Sequence, residues 1–355
     1  MALELIDVSK RVGVEQHIYP TSLTLEPGGI NILLGTTLSG KTTLMQLMAG
    51  LDQLTTGALR FNGKDVTRTP VQKRNVSMVY QQFINYPNFS VFENIASPLR
   101  VARVAETEIK KRVGEMAELM KLSGMLDRRP SELSGGQQQR TAMARALVKE
   151  ADLVLLDEPL ANLDFKLREE LRDELPRLFA NRECVVVYAT TEPVEALLFG
   201  GKTATMHEGR VTQFGPTGDI YRRPKDLISA EVFSEPPINH AEVVKQGATL
   251  SLPGGPTWAA LGGAASLADG TYTMGLRPHH VTPSASGEQP IPVEGNVMVT
   301  ELSGSESVVH FHLGGRTWVS QSHGIHPFEV GEVAQLHADV SKAFYFNSAG
   351  ALVAG

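Results

Sequence analysis

At 355 residues, 42% of them apolar, the chain has the length of two folded domains and the composition of an ordinary globular protein. It has no run of eighteen apolar residues and no signal peptide behind Met1, which excludes a membrane-spanning helix and reads as a cytosolic protein that meets a membrane only through partners. The net charge is −6, and the single cysteine, Cys184 in the apolar run ECVVVYAT, rules out an internal disulfide and reads as a small core residue.

In chain order, NILLG (31–35) reads as a short buried strand and TTLMQLMAG (42–50) as a helix ending at Gly50. Between them Gly35, Thr36, Thr37, Leu38, Ser39, Gly40, Lys41, Thr42 and Thr43 fit the pattern G-x-x-x-x-G-K-[ST]. In a strand–loop–helix context this pattern makes a cradle of backbone N–H groups for phosphates. Lys41 reaches the terminal phosphates, and the Thr42 hydroxyl is a magnesium ligand. VSMVY (76–80) is the next core strand, and segments such as EIKKRVGEMAELMKL (108–122) predict an amphipathic helical insert over about 87–150.

LSGGQQQR (133–140) places Ser134, Gly135, Gly136 and Gln137 at a helix start. Free N–H groups, a positive dipole end and two glycines admit a phosphate there, and the Ser134 hydroxyl adds a donor. This is a second phosphate-binding element, distinct from the first, so two nucleotide-contacting surfaces are expected to come together. LVLLDEP (153–159) follows as a strand buried on both faces with carboxylates at its C-terminal end. Asp157 is expected to hold magnesium through water, and Glu158 to polarise an attacking water as general base. VVVYAT (185–190) is a further core strand.

These motifs resemble the ATP-binding subunit of an ABC transporter, densely from about Leu3 to Pro224. The resemblance implies an α/β P-loop ATPase cassette over residues 1–233, with a RecA-like core, an antiparallel β subdomain and the helical insert. It implies ATP and Mg2+ as ligands. VYQQF (79–83) resembles the glutamine loop, so Gln81 senses the magnesium and the water, and ANLD (161–164) resembles a segment that pairs across a subunit interface through Asn162 and Asp164. In the family two subunits meet head to tail, each ATP lying between one phosphate loop and the other signature. IASPLRVAR (95–103), with the glutamine loop, corresponds to the surface that receives a coupling helix from the membrane subunits.

Three departures qualify the resemblance. Thr191 stands at the family's switch-histidine position, and Leu38 stands where the phosphate loop has a glycine. The aromatic residue that stacks on adenine, near Val12, is missing, with Tyr19 a candidate substitute. The chain's own site reads as impaired while its signature is intact. This favours a heterodimer with a histidine-bearing ATPase over a homodimer. A mainly structural ATP-binding subunit and a soluble ABC protein outside transport are the competing readings.

The texture changes near Ser234. SEPPINH is followed by short alternating runs, ATLSL, TYTMGL, ESVVHFHL and RTWVSQ, which predict a small all-β, OB-like barrel domain over 234–355. Four cations, Lys245, Arg277, Arg316 and Lys342, against nine acids from Glu242 to Asp339 argue against nucleic-acid binding there. His279, His280, His310 and His312 lack a third ligand at fixed spacing and read as ordinary packing or surface positions. PPIN, MGLRPHHV and ELSGSESVVHFHLGG resemble the accessory domain of ATPases of maltose-type sugar importers, and the wording overall is similar to the paired ATPases of glycerol importers. The implied partners are a second ATPase, two membrane permeases and an extracytoplasmic solute-binding protein. The implied place is the cytoplasmic face of a bacterial membrane.

Overall fold

A computed structural model describes residues 1–355 apart from Phe83, Asn162 and Asn181, in two units, Met1–Gly218 and Asp219–Gly355. In the first unit β1 (Leu3–Val12) and β2 (Glu15–Leu25) pair antiparallel and are followed by β3 (Ile30–Gly35), α1 (Lys41–Ala49), β4 (Thr56–Phe61), β5 (Lys64–Asp65) and β6 (Val76–Val79). The helical insert consists of α2 (Val91–Val101), α3 (Glu106–Leu119) and α4 (Gly135–Leu147). The chain returns through β7 (Leu153–Asp157), α5 (Phe165–Ala180), β8 (Val185–Thr190), α6 (Pro193–Phe199), β9 (Lys202–His207) and β10 (Arg210–Pro216).

Two sheets result. One is antiparallel, in the order β2-β1-β4-β5. The other, in the order β10-β9-β3-β8-β7-β6, is parallel except for β10 at its edge. Every residue of β3, β7 and β8 is buried, which is why these strands read as unbroken apolar runs rather than as alternation. Leu44, Met45, Leu47 and Met48 of α1 join Leu3, Leu5 and Val8 of β1 and Leu33, Leu155 and Val187 of the parallel sheet in one core. The parallel registers pair Leu34 with Thr190 and Asp157 with Ala189. The C-terminal ends of β3, β7 and β8 therefore lie side by side, at the edge where open parallel sheets bind ligands.

After α7 (Thr217–Arg222), the second unit holds α8 (Leu227–Val232), β11 (Asn239–Gln246), β12 (Thr249–Ser251), β13 (Thr257–Ala259), β14 (Gly270–Leu276) and β15 (Val281–Thr282). It ends with β16 (Pro290–Leu302), β17 (Glu306–Leu313), β18 (Arg316–His323), β19 (Val333–Asp339), β20 (Phe344–Phe346) and β21 (Leu352–Ala354). Its two antiparallel sheets, β13-β12-β11-β14-β20-β21 and β15-β19-β16-β17-β18, wrap a core that includes Trp258, Met274, Phe311, Trp318 and Leu336, beside a smaller cluster of Ala230, Ile238, Phe344 and Phe346. This is the expected OB-like, nearly closed β unit. On β17 the partly exposed His310 and exposed His312 alternate with buried Val309 and Phe311 and so stand apart from that core.

Candidate active site

The phosphate loop connects β3 to α1. Gly35 is held so tightly that a Cβ there would lie 2.5 Å from both the Met206 carbonyl oxygen and Ser39 Oγ. Gly40, the residue before α1, has φ 98°, open to glycine at little penalty. Leu38 has φ 68° with its side chain 95% exposed. A left-handed leucine carries about 1–2 kcal/mol of backbone strain, and with no burial to offset it the strain is uncompensated within the chain.

Lys41 is 5% exposed and donates to the carbonyls of Gly35 (2.8 Å) and Thr36 (3.0 Å). Its Nζ lies 3.3 Å from Glu158 Oε1. Burial pulls the ammonium pKa down, opposed by the charge of Glu158. The Thr42 hydroxyl donates to Asp157 Oδ2 at 2.7 Å, and Asp157, 1% exposed, is pushed above the usual carboxylate range by desolvation. Gln81 reaches across from the segment after β6, its Nε2 donating to Glu158 Oε2 at 3.1 Å. Thr42, Asp157, Glu158, Lys41 and Gln81 thus form one connected cluster at the carboxyl edge of the sheet.

The other half of Asp157 tests the fit to magnesium. Oδ1 is fully buried and has no hydrogen-bond partner, an arrangement that is costly unless a cation or its water takes the lone pairs. A hydroxyl from Thr42 on one side and this orphaned oxygen on the other are oxygen donors of the kind Mg2+ takes.

The cluster opens into a cavity lined by Thr37 to Thr43, Gln81 and Glu158, and also by Gln16, His17 and Tyr19 of β2 and by Glu208 and Gly209 of the β9–β10 turn. Of those last five residues the sequence singles out only Tyr19, as the candidate substitute for the missing aromatic, and it does line the cavity; Gln16, His17, Glu208 and Gly209 carry no motif. Arg210 lies on the Tyr19 ring, its guanidinium carbon 3.4 Å from the centroid, so one face of the proposed base platform is already taken.

The remaining motif residues lie elsewhere. Ser134 caps α4, its Oγ accepting from the Gln137 N–H (3.4 Å) while the Gln137 side chain accepts from the Ser134 N–H (3.0 Å). Gly135 is exposed, and none of residues 134–137 lines the cavity. Within one chain the two predicted phosphate-binding elements do not line the same cavity. Asp164 caps α5 by accepting from the Leu167 N–H at 3.0 Å, and Asn162 lies outside the described residues.

Thr191 follows β8 directly and is exposed. A buried network beneath it escaped the sequence reading. Glu195 Oε2 accepts from Thr190 Oγ1 (2.6 Å) and Tyr188 Oη (3.0 Å), while Arg172 of α5 pairs with both Glu192 (2.5 Å) and Glu195 (3.4 Å). Burial pushes Glu195 and Tyr188 up, each for the same reason.

A P-loop nucleotide site on an α/β core, followed by an OB-like β unit, defines a nucleotide-hydrolysing cassette with an accessory domain. The comparisons narrow the class. Residues 18–161 match the ABC transporter family and residues 274–346 the TOBE domain family. A maltose/maltodextrin import ATP-binding protein, MalK, of Yersinia pestis bv. Antiqua is 35% identical over 298 residues, 82% of this chain and 80% of that protein. An sn-glycerol-3-phosphate import ATP-binding protein, UgpC, of Escherichia coli O1:K1 / APEC is 36% identical over 304 residues, 85% of each chain. A second UgpC, from Rhizobium johnstonii, is 32% identical over 351 residues, 98% of each. Among solved structures, a dimeric ATP-binding cassette in a post-hydrolysis state bound to ADP and Pi superposes with a TM-score of 0.56 at 26% identity, over 61% of this chain and 98% of that one. The chain belongs to the ATP-binding proteins of ABC transporters, in the branch that carries a TOBE domain.

Proposed function

We propose that this chain energises an importer of a small polar carbon source, such as glycerol, another polyol, a glycerol phosphate or a sugar, as one of two non-identical ATPases. The observation that carries the reading is the separation of its two phosphate-binding elements. Lys41, Thr42, Gln81, Asp157 and Glu158 converge on one cavity, whereas Ser134 to Gln137 present an exposed helix start elsewhere. A second cassette completes each half. The names of the relatives, maltodextrin and sn-glycerol-3-phosphate import proteins, support the solute class.

In its own site the loop N–H groups and Lys41 hold the triphosphate, and the ammonium exchanges the Gly35 and Thr36 carbonyls for phosphate oxygens. Thr42 and Asp157 are the residues that would hold Mg2+, whose charge offsets that of the phosphates when bound. Glu158, oriented by Gln81 and Lys41, takes a proton from the attacking water. Thr191 supplies no donor at the distance an imidazole reaches. The missing donor to the transition state is worth roughly 3 kcal/mol, about a hundred- to a thousandfold in rate. Together with the strained Leu38, this favours, as a second reading, a subunit that binds ATP and barely turns it over.

The remaining proposed partners are two permeases and a solute-binding protein outside the membrane. Peripheral attachment at the cytoplasmic face is part of this reading and rests on the relatives' names as import ATP-binding proteins; among the described residues no helix is long and apolar enough to cross a membrane. A cleft between β6, α2 and α4, lined by Met78, Tyr86, Phe89, Pro98, Val101 and Arg145, supports coupling-helix docking, with Val101 85% exposed. The test is purification of the complex held by this chain, followed by solute-stimulated ATP hydrolysis and uptake in vesicles. Co-purification of a second ATPase and permeases with polyol-stimulated turnover is the expected result. Strong solute-independent turnover by this chain alone would falsify the proposal.

A further inference from the structure

We infer that His17, and not Tyr19, is the side chain on which the nucleotide base rests, an assignment that builds on the ATPase reading above. The phosphate end of the cavity is fixed by Lys41, Thr42 and Glu158. The walls not used by phosphates are Gln16, His17 and Tyr19 on β2 and Glu208 and Gly209 in the β9–β10 turn, so the rest of the nucleotide extends toward them.

Two ring-bearing side chains stand at that end. Tyr19 presents a face already stacked by Arg210 at 3.4 Å, and a guanidinium on a tyrosine face is a favourable contact that a base would have to displace. His17 has its side chain 40% exposed, and among the described aromatic and cation contacts its ring has no stacking partner. Its ring pairs with the exposed Glu15 carboxylate at 3.7 Å, and its charge also acts on Asp52.

The position of His17 is fixed by backbone, which is what a platform needs. Its carbonyl oxygen lies where a Cβ on Gly209 would come within 2.3 Å, and where one on Gly40 would come within 3.4 Å. Residue 17 is thereby clamped between the turn after β9 and Gly40, the residue just before α1 and one step from Lys41. The Gly209 N–H also donates to the Ser39 carbonyl at 3.0 Å, and the Tyr19 N–H to the Gly209 carbonyl at 2.9 Å, tying turn, loop and β2 together. A flat imidazole held at that point, on the cavity wall, offers a π face to any purine.

The experiment is calorimetric titration of the full chain with MgATP and, separately, with magnesium tripolyphosphate, which shares the phosphates and lacks the base. Loss of a stacking partner lowers affinity by about tenfold. His17→Ala is expected to weaken ATP by that factor and leave tripolyphosphate unchanged, while His17→Phe retains ATP affinity and Tyr19→Leu stays within about twofold of the parent. Unchanged ATP binding by His17→Ala overturns the assignment, as does a parallel loss of both ligands or a tenfold loss confined to Tyr19→Leu. An unsubstituted chain that binds neither ligand refutes the nucleotide reading itself, which separates that failure from failure of the His17 assignment.

Discussion

Two residues of the site are held in states that the free chain disfavours, and both can be relaxed by substitution. Leu38 is fully solvent-facing at φ 68°, so Leu38→Gly removes about 1–2 kcal/mol of strain and returns roughly half of it as unfolded-chain entropy. A net gain of about 0.5–1 kcal/mol in urea unfolding is expected; a loss would mean that the leucine is supported by contacts outside this chain's own loop. Asp157 is the second case, since desolvation raises its pKa in the folded state. A raised carboxylate binds more protons folded than unfolded, so stability falls as pH climbs from the ordinary carboxylate value through the folded one. Asp157→Asn is therefore expected to stabilise the nucleotide-free chain by about 1 kcal/mol at pH 7.5 and by less near pH 4.5, while abolishing magnesium-dependent nucleotide binding. Denaturation curves at the two pH values decide it. An equal effect at both would show that the carboxyl is not titrating in that window. The motif residues themselves were legible because phosphate and magnesium chemistry restricts side-chain type at each position. His17 and Arg210 were not, since they reach the site through strand pairing across most of the unit and follow no spacing rule.

The elements around the site divide along the same line. β3, β7 and β8 could be read directly, because a strand buried on both faces leaves only apolar residues in its sequence. β2 could not. It carries Pro20 and alternates irregularly, and it survives because it is the edge of its sheet, where a missing N–H breaks no ladder. The Arg172–Glu192–Glu195 network joining α5 to α6 was equally hidden, as its members only become neighbours once the helices dock. α4 shows an element with two duties. Ser134 closes a capping box with Gln137, and the same serine at the same helix start is the proposed contact to another chain's nucleotide. Ser134→Ala is expected to lower the stability of the isolated chain by about 1 kcal/mol, as loss of a cap does. Ser134→Asp restores the cap and places a negative charge where the proposed phosphate would sit. Stability near that of the parent with loss of the partner site's turnover would separate the two duties. Parallel loss of both properties would leave only the structural one.

At the scale of the whole molecule, the sequence predicted an ATPase cassette followed by an OB-like β domain, and the family matches agree with both parts. Pairing is where a single chain falls silent, because in the proposed reading each phosphate-binding element is completed by another chain. Asymmetry makes it testable. If this chain lends its signature to a histidine-bearing partner and keeps the weaker loop, substitutions in its two halves must have unequal effects on the assembled complex. Glu158→Gln removes the base of the weak site and is expected to leave most of the turnover. Gly136→Asp puts a carboxylate and a side chain into the partner's phosphate contact, and is expected to reduce turnover at least a hundredfold. Thr191→His gives the weak site back its donor. It should raise the share of turnover that Glu158→Gln can remove, because the two sites then become comparable. Steady-state ATPase rates of the three variants in the purified complex provide the measurement. Equal losses for Glu158→Gln and Gly136→Asp would mean two equivalent sites, and with them a symmetric dimer in which Thr191 is no handicap.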